Sequence, residues 1–468
     1  MKEGQLKSKT RRRFLKDSAT TAAGITLSLH TVGGPLIRSA LGANERVRVG
    51  FIGVGNRGTQ LLRGFLAQDD VEVAAICDVY EPYLTREYSA VDAKLRDSLG
   101  GRVPKMTEKL GPSQRVARYK DFRHLLDRKD IDAVVISTPD HWHAIQSIMA
   151  CEAGKDVYVE KPLSVTIVEG RKMVEAARRH NRVIQVGLHR RSSQTYRQLS
   201  RDVQQGKIGK VTVARAYRVS NMYPGGIGKY QVTEPPKGLD WDMWLGPRPM
   251  RPYKDNIAPY KFRWWQAYSS QVANWGVHYC DAIRWVLGEQ APVSISAHGG
   301  RFAVDDDRTI PDTMEVIFEL ACGTLVIFGQ YEASGGSPLP SGEIEFRGTR
   351  GNLYPDSSGS GYKIVPSQPG QFQEREPQIQ PEEKEAPAGN RSLTVQHIRN
   401  FLDCIKTRKP TNCDMETGHR STTFALLANI ALATKARIEW DPKNERITNN
   451  REANGLLHYE YRRPWKLT

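Results

Sequence analysis

Little in this chain holds metal or staples a fold. Its six cysteines are scattered over 468 residues with no Cys-x-x-Cys pair, which excludes the common zinc-cluster spacings and argues against a disulfide framework. Cys77 and Cys151 lie in apolar strand and helix patterns and read as buried thiols. Long hydrophobic runs are missing as well. The stretch SATTAAGITLSLHTVGGPLI at residues 18–37 is broken by Ser, Thr and His30 and is too polar for a membrane span. Beyond residue 43 there is no dense basic tract. Residues 1–43 supply +6 of the net +16, eight Lys/Arg against Glu3 and Asp17. The rest of the charge is spread without a nucleic-acid motif, so nucleic acid is not an expected partner.

What is present fits a soluble two-domain chain, 39% hydrophobic and 26% charged. The basic block Arg11-Arg12-Arg13-Phe14-Leu15-Lys16, a weakly apolar stretch and the small residues Ala40-Leu41-Gly42-Ala43 follow one another in the order of an export signal. The block resembles the twin-arginine signal, which implies passage of the folded protein through the twin-arginine machinery to the periplasm or another exported location. Residues 1–43 are therefore expected to be a signal peptide.

From Arg46 the pattern becomes strand, glycine turn, helix, strand. Gly53-Val54-Gly55-Asn56-Arg57-Gly58 follows the β-rich run Arg46–Ile52, and Asp78 lies 20 residues past Gly58 at the end of the next strand. In that context the glycines mark a dinucleotide site. Gly53 allows the tight turn, Gly55 lets backbone amides approach a pyrophosphate, and Gly58 permits close helix–strand packing. Asp78 can accept from ribose hydroxyls and repels a 2′-phosphate, which favours NAD over NADP, although Arg86 is near. Strands at 131–136, 156–159 and 182–186 alternate with helices at 143–153 and 164–180, predicting a doubly wound parallel sheet over residues 44–187. Over 188–468 strands at 210–219, 311–330 and 342–348 follow one another, predicting an antiparallel or mixed sheet. Helices are expected at 276–287, 394–406 and 417–436, and the polar segment 367–390 is expected to be an exposed excursion or interface arm.

Lys161, in Glu160-Lys161-Pro162, ends a predicted parallel strand and is aimed at the crevice where ligands of such sheets bind. Its bond to Pro162 is a candidate cis peptide. Arg190, after the last strand of that sheet, could meet an acidic or phosphorylated substrate, or lie on the surface. His141 and His143 are two residues apart and cannot share a helix face, so no metal site is expected. Six of nine tryptophans fall in 241–285 with tyrosines between them, which suits the faces of a carbohydrate or polyol and equally a packed core.

The motif Gly53–Gly58, Thr138-Pro139 followed by His141-Trp142-His143, Glu160-Lys161-Pro162 and Asn274-Trp275-Gly276-Val277-His278-Tyr279-Cys280-Asp281 together resemble the Gfo/Idh/MocA oxidoreductases over most of residues 44–468. The resemblance implies a Rossmann domain for NAD(P), with Asn56, Arg57, Thr138, Pro139, His143, Glu160 and Lys161 beside the cofactor. It also implies a large, mostly antiparallel C-terminal α+β domain over a sugar or cyclitol, and a homo-oligomer, dimer or tetramer, through the open face of that sheet. Lys161 would be the acid/base residue, His278 a second proton-handling group, and Lys161, Arg190, Trp275 and His278 the substrate's neighbours. Asn274 stands where the family's dehydrogenases usually carry Asp, so it can orient a neighbour but not accept a proton. Asp281 is placed to orient His278 if a helix has begun.

Export and a nicotinamide cofactor together imply that NAD is bound before export and kept, so that its redox state is reset on the protein. The expected activity is NAD(P)-dependent oxidoreduction of a CH–OH group of a sugar or polyol. Two alternatives stand beside it: redox-assisted glycoside cleavage through a keto-sugar, and a catalytically silent sugar binder.

Overall fold

The computed structural model describes residues 46–467 apart from 108–109, 111–115, 340–341, 357–358, 360, 369, 371, 373–375 and 386–391; the expected signal peptide lies outside the described residues. Two sheets organise the chain. The first has β1 (Val47–Ile52), β2 (Val71–Cys77), β3 (Ala117–Tyr119), β4 (Ala133–Ile136), β5 (Asp156–Val159) and β6 (Ile184–Val186), all parallel in the order β3-β2-β1-β4-β5-β6. Every residue of β4 and β5 is buried, as expected of parallel strands covered on both faces. Helices α1 (Asn56–Leu66), α2 (His143–Glu152) and α3 (Ile167–Arg179) connect them. The strand order reverses between β1 and β4, which opens a crevice at their carboxyl ends.

After α4 (Gln194–Gln204) the chain builds the second sheet from β7 (Val211–Val219), β8 (Pro292–Gly300), β9 (Thr313–Leu320), β10 (Leu325–Tyr331), β11 (Ile344–Gly348), β12 (Gly351–Pro355), β13 (Gly361–Pro366), β14 (Glu382–Glu385), β15 (Ile438–Asp441) and β16 (Arg446–Ile447). Ten strands lie in the order β14-β13-β12-β11-β7-β10-β9-β8-β15-β16, antiparallel except where β10 pairs β7. Along β9, buried Met314, Val316, Phe318 and Leu320 alternate with exposed Ile317 and Glu319, so one face is buried and the other carries charge. The buried face packs on α5 (Val277–Val286) and α7 (Met415–Thr434). The remaining long helix, α6 (Leu393–Thr407), returns to the first sheet, where Ile398 and Phe401 pack in the core that holds Leu61 and Phe65 of α1. The polar segment near residue 380 is not wholly an excursion: Glu382–Glu385 forms the edge strand β14, and Lys384 pairs with Asp202.

Helices α3 and α7 are joined by charge. Arg171 donates to Glu416 and, beyond α7, to Glu445, at 2.6–3.0 Å. Burial alone would raise both carboxyls; the hydrogen bonds from Arg171, with Arg420 on Glu416 and His419 on Glu445, outweigh it and bring each from 4.5 to about 2. A depressed carboxylate stabilises the fold above its unfolded value and loses that contribution as pH falls through the folded one. Arg171→Ala is therefore expected to cost about 2 kcal/mol at pH 7. The gap should narrow below the ordinary carboxyl value and close toward about pH 2, read as the difference in Tm between variant and parent at pH 7 and pH 3.

Candidate active site

The glycine turn closes on the neighbouring strand. Gly53 has φ +85°, and a Cβ there would stand 2.8 Å from the amide N of Thr138. A Cβ on Gly58 would stand 2.1 Å from the carbonyl O of Gly53, so this close approach admits only glycine. The first turn of α1 has no side-chain cap, which leaves its N–H groups for an anion. Asp78 Oδ2 accepts from Val54 N at 2.8 Å and Oδ1 from Tyr80 N at 3.0 Å, and burial pushes its carboxyl up to about 6. Arg86 donates to Val54 O and Thr59 Oγ1, so it braces the loop from behind. Gly53, Gly55, Asp78, Thr138 and Pro139 line one cleft, roofed by Leu239, Trp244, Tyr260 and Phe262 from the long connection between β7 and α5. These features fit a dinucleotide.

Three turns converge on Lys161. Arg57 donates from Nε to Glu160 at 2.7 Å, tying the glycine turn to the turn after β5. Glu160 is buried, and a Cβ on Gly187 would stand 3.0 Å from its carboxylate. His143 joins Thr138 O at 3.0 Å to Pro162 O at 2.7 Å through its two ring nitrogens. Its ring thus holds the turns after β4 and β5 together. The Lys161–Pro162 bond is cis, as the sequence suggested.

Lys161 Nζ donates to both oxygens of Asn274, the backbone O and Oδ1, each at 2.8 Å. Asn274 lies in a π-turn, Val272–Gly276, that precedes α5, a widening often found at functional sites. Burial depresses the Lys161 amine from 10.5 to about 8; Glu160 and Asp140 oppose that shift, and Arg263 and Arg57 add to it. His278, on the first turn of α5, has no ring hydrogen bond among the described residues. Burial, then Lys161, His189, Arg190 and Arg57, hold its pKa well below the usual 6.5. It is therefore a neutral imidazole, and an imidazolium there is disfavoured.

Around this pair, Arg190 donates to His278 O at 3.3 Å, faces Glu343 at 3.6 Å and lies over Tyr279. It is half-buried beside the site rather than fully on the surface. Trp275 is 38% exposed, and the guanidinium of Arg218 lies 3.8 Å over its ring. Asn56 also lines the cofactor cleft, its side-chain amide donating to Arg102 O. Asp281 does not orient His278; it accepts from Arg191 at 2.7 Å and Ser421 at 2.6 Å in the core. His141 is spent on Trp244 O, and Trp241, Trp244 and Trp265 pack with Tyr253 and Tyr268 in a core of their own, so the core reading holds for those rings.

Sequence reasoning missed Asp140, His189 and Arg263. Asp140 is buried, accepts from Ser269 Oγ and feels the charges of His143, Lys161 and Arg263. It stands between residues that were singled out in Thr138–His143, and that position was the available signal. His189 packs 5.4 Å from His278 ring to ring, a proximity made by the fold alone.

Comparison with known proteins agrees with this geometry. Residues 47–188 match the Gfo/Idh/MocA oxidoreductase family's NAD-binding Rossmann fold, and residues 193–360 and 368–467 match the family's C-terminal alpha/beta domain. A glycosyl hydrolase family 109 protein from Shewanella pealeana is 37% identical over 181 residues, 36% of this chain and 37% of that protein's length. Among solved structures, levoglucosan dehydrogenase in complex with NADH superposes with a TM-score of 0.60 at 16% identity, over 84% of this chain and 99% of its own. An aldose-aldose oxidoreductase from Caulobacter crescentus complexed with glycerol gives 0.58 at 15% identity, over 84% and 99%. At those identities the structural likeness concerns the fold.

Proposed function

The chain belongs to the Gfo/Idh/MocA oxidoreductase family, and on that premise we propose that it oxidises a CH–OH carbon of a sugar or polyol. In this reading Lys161 is the base, and the cofactor is NAD rather than NADP. The observation that carries the reading is the amine of Lys161, half-buried at the crevice and hydrogen-bonded to two uncharged oxygens of Asn274.

A neutral amine has two hydrogens and one lone pair. Asn274 takes both hydrogens, so the lone pair is left for a substrate hydroxyl. An Asp at 274 would favour the charged ammonium; Asn274 supplies the same acceptor geometry without a charge, which keeps a base available near pH 8. A bound NAD would supply the hydride acceptor for the carbinol carbon; Lys161 removes the hydroxyl proton. His278, held neutral, orients the hydroxyl as a hydrogen-bond partner. Asp78 stays ionised at neutral pH and disfavours a 2′-phosphate, and Arg86 is engaged at Val54 O and Thr59 Oγ1.

Asp140, like Glu160, is a buried carboxylate that raises the pKa of Lys161. Asp140→Asn is therefore expected to move the alkaline-rising limb of kcat/KM about one unit lower. An unmoved limb would dissociate Asp140 from the base.

The block at residues 11–16 supports export through the twin-arginine pathway, with NAD loaded beforehand and retained; assembly as a homo-oligomer is proposed from the family resemblance alone. Retention is tested by denaturing protein purified without added nucleotide and identifying what is released by mass spectrometry. Near-stoichiometric NAD(H) supports a redox cycle closed on the protein; an empty protein with weak NAD affinity contradicts it. The relatives in glycosyl hydrolase family 109 favour a second reading, in which the same first step serves glycoside cleavage. Oxidation of a ring hydroxyl acidifies the adjacent C–H, the aglycone leaves by elimination, water adds, and the hydride returns to the sugar. Aglycone release with no net change in cofactor redox state would select this reading; net reduction discharged by a second carbonyl would select the first.

A further inference from the structure

Behind the turn that carries Lys161 lies a second cavity, of about 490 Å³, bordered by Val165–Ile167, by α7 and by His458 and Tyr459. It shares no lining residue with the cofactor cleft. A further hollow of about 400 Å³ adjoins it, and the two have Gln266, Ser270, Thr309, Asn429 and Ala433 in common. Each is the size of an ordinary small-ligand site.

Charge in this groove is one-sided. Arg248 and Arg251 line the first hollow and Arg301 and Lys435 the second, and among the described residues no Asp or Glu lines either. Among the described residues neither Arg248 nor Arg251 has an ion-pair partner. Arg248 lies 3.7 Å over the ring of Tyr459 with its Nε buried and unpartnered, and Arg251 lies 4.5 Å over Trp265. Glu169, which packs near Tyr459, is already bound to Val165 N, Thr166 N and Tyr461 Oη and does not line the cavity.

Guanidinium groups stay charged at any working pH, and leaving them partly buried without a counter-charge is costly. Stacking by its face on an aromatic ring fixes such a group while leaving its N–H edge for an oxyanion. Between the cations, Ser270 Oγ accepts from Ala273 N and Asn429 Nδ2, so its own hydrogen is unused, and the amide of Gln266 adds further capacity for hydroxyls.

We propose that the two hollows form a binding groove for an elongated, oxyanion-bearing ligand: a segment of glycan with a carboxylate or sulfate on adjoining sugar units. The oxyanion follows from the uncompensated cations. The sugar body rests on the proposed function, and the binding measurement does not require turnover.

The test is calorimetric titration of the full chain with trigalacturonate, with maltotriose as the neutral counterpart and inorganic sulfate as the bare ion. Trigalacturonate is expected to bind, to weaken with added salt, and to lose about tenfold or more in affinity in R248Q/R251Q, while the variant's Tm and cofactor content stay at the parent's. Should that variant fail to fold, K435Q, at an exposed helix end, is expected to weaken trigalacturonate and spare sulfate. No binding at millimolar concentration, binding indifferent to both variants, or equal affinity for maltotriose would overturn the oxyanion site. Sulfate binding as tight as trigalacturonate would leave an adventitious ion only and overturn the elongated ligand. Loss of turnover with binding intact would count against the proposed function alone.

Discussion

Lys161→Met is expected to lower turnover by about 10³-fold while leaving bound cofactor in place, because general-base catalysis by a positioned group contributes on the order of 10²–10⁴. Methionine nearly matches the length of the lysine stem and removes only the amine, so the pair of hydrogen bonds to Asn274 is lost without opening a large cavity. The arrangement of Arg57, Glu160 and Gly187 does not depend on the amine, and the cofactor cleft should survive. The assay is single-turnover reduction of the bound nicotinamide, followed by absorbance, with the parent under the same conditions. Full activity in Lys161→Met would remove the base from the mechanism.

Asn274→Asp should act through charge rather than shape. The carboxylate would keep an acceptor 2.8 Å from the amine and add an opposite charge, which raises an amine's pKa by about 1–3 units. Lys161 would then move from about 8 back toward its ordinary value. The sign follows: oxidation needs the neutral amine, so the rising limb of the pH profile shifts upward, and the rate at pH 7 falls about tenfold or more for each unit. At high pH the two proteins should converge. A variant whose limb stays in place would show that the uncharged acceptor is not what keeps Lys161 available. Together with Asp140→Asn, whose limb moves the other way, this gives two opposed displacements from two single-atom changes.

Much of this site was visible in the chain because its parts sit in short motifs. The turn at Gly53–Gly58 and the acid at Asp78 carry their mechanics locally: a positive φ, a close approach and a strand end. Lys161 was legible for a related reason, since the end of a parallel strand fixes where the next residue points. The alternation of strands and helices up to Val186 likewise gave the first sheet its class, although the three-residue strand β3, with no fully buried residue, lacked a hydrophobic run to announce it. Long-range arrangement was not legible. The partnership of Lys161 with Asn274 spans 113 residues, and the π-turn that presents both oxygens is a backbone hydrogen-bond pattern with no compositional mark. Asp281 shows how little local spacing decides: the sequence placed it to orient His278 only if a helix had begun, and Arg191 and Ser421, from elements far away, claim it for the core. The tryptophans of 241–265 left two readings open, because aromatic clustering in sequence cannot distinguish a small core from a sugar platform; the fold selects the core.

The most direct test is anaerobic titration of cofactor-loaded protein with a panel of sugars, polyols and glycosides, reading the reduced-nicotinamide absorbance band of the bound cofactor. At least one sugar or polyol is predicted to raise that band at pH 8, to do so more weakly at pH 6, and to leave Lys161→Met unreduced. A protein that holds NAD, binds a sugar and never reduces the cofactor at any pH would contradict the account.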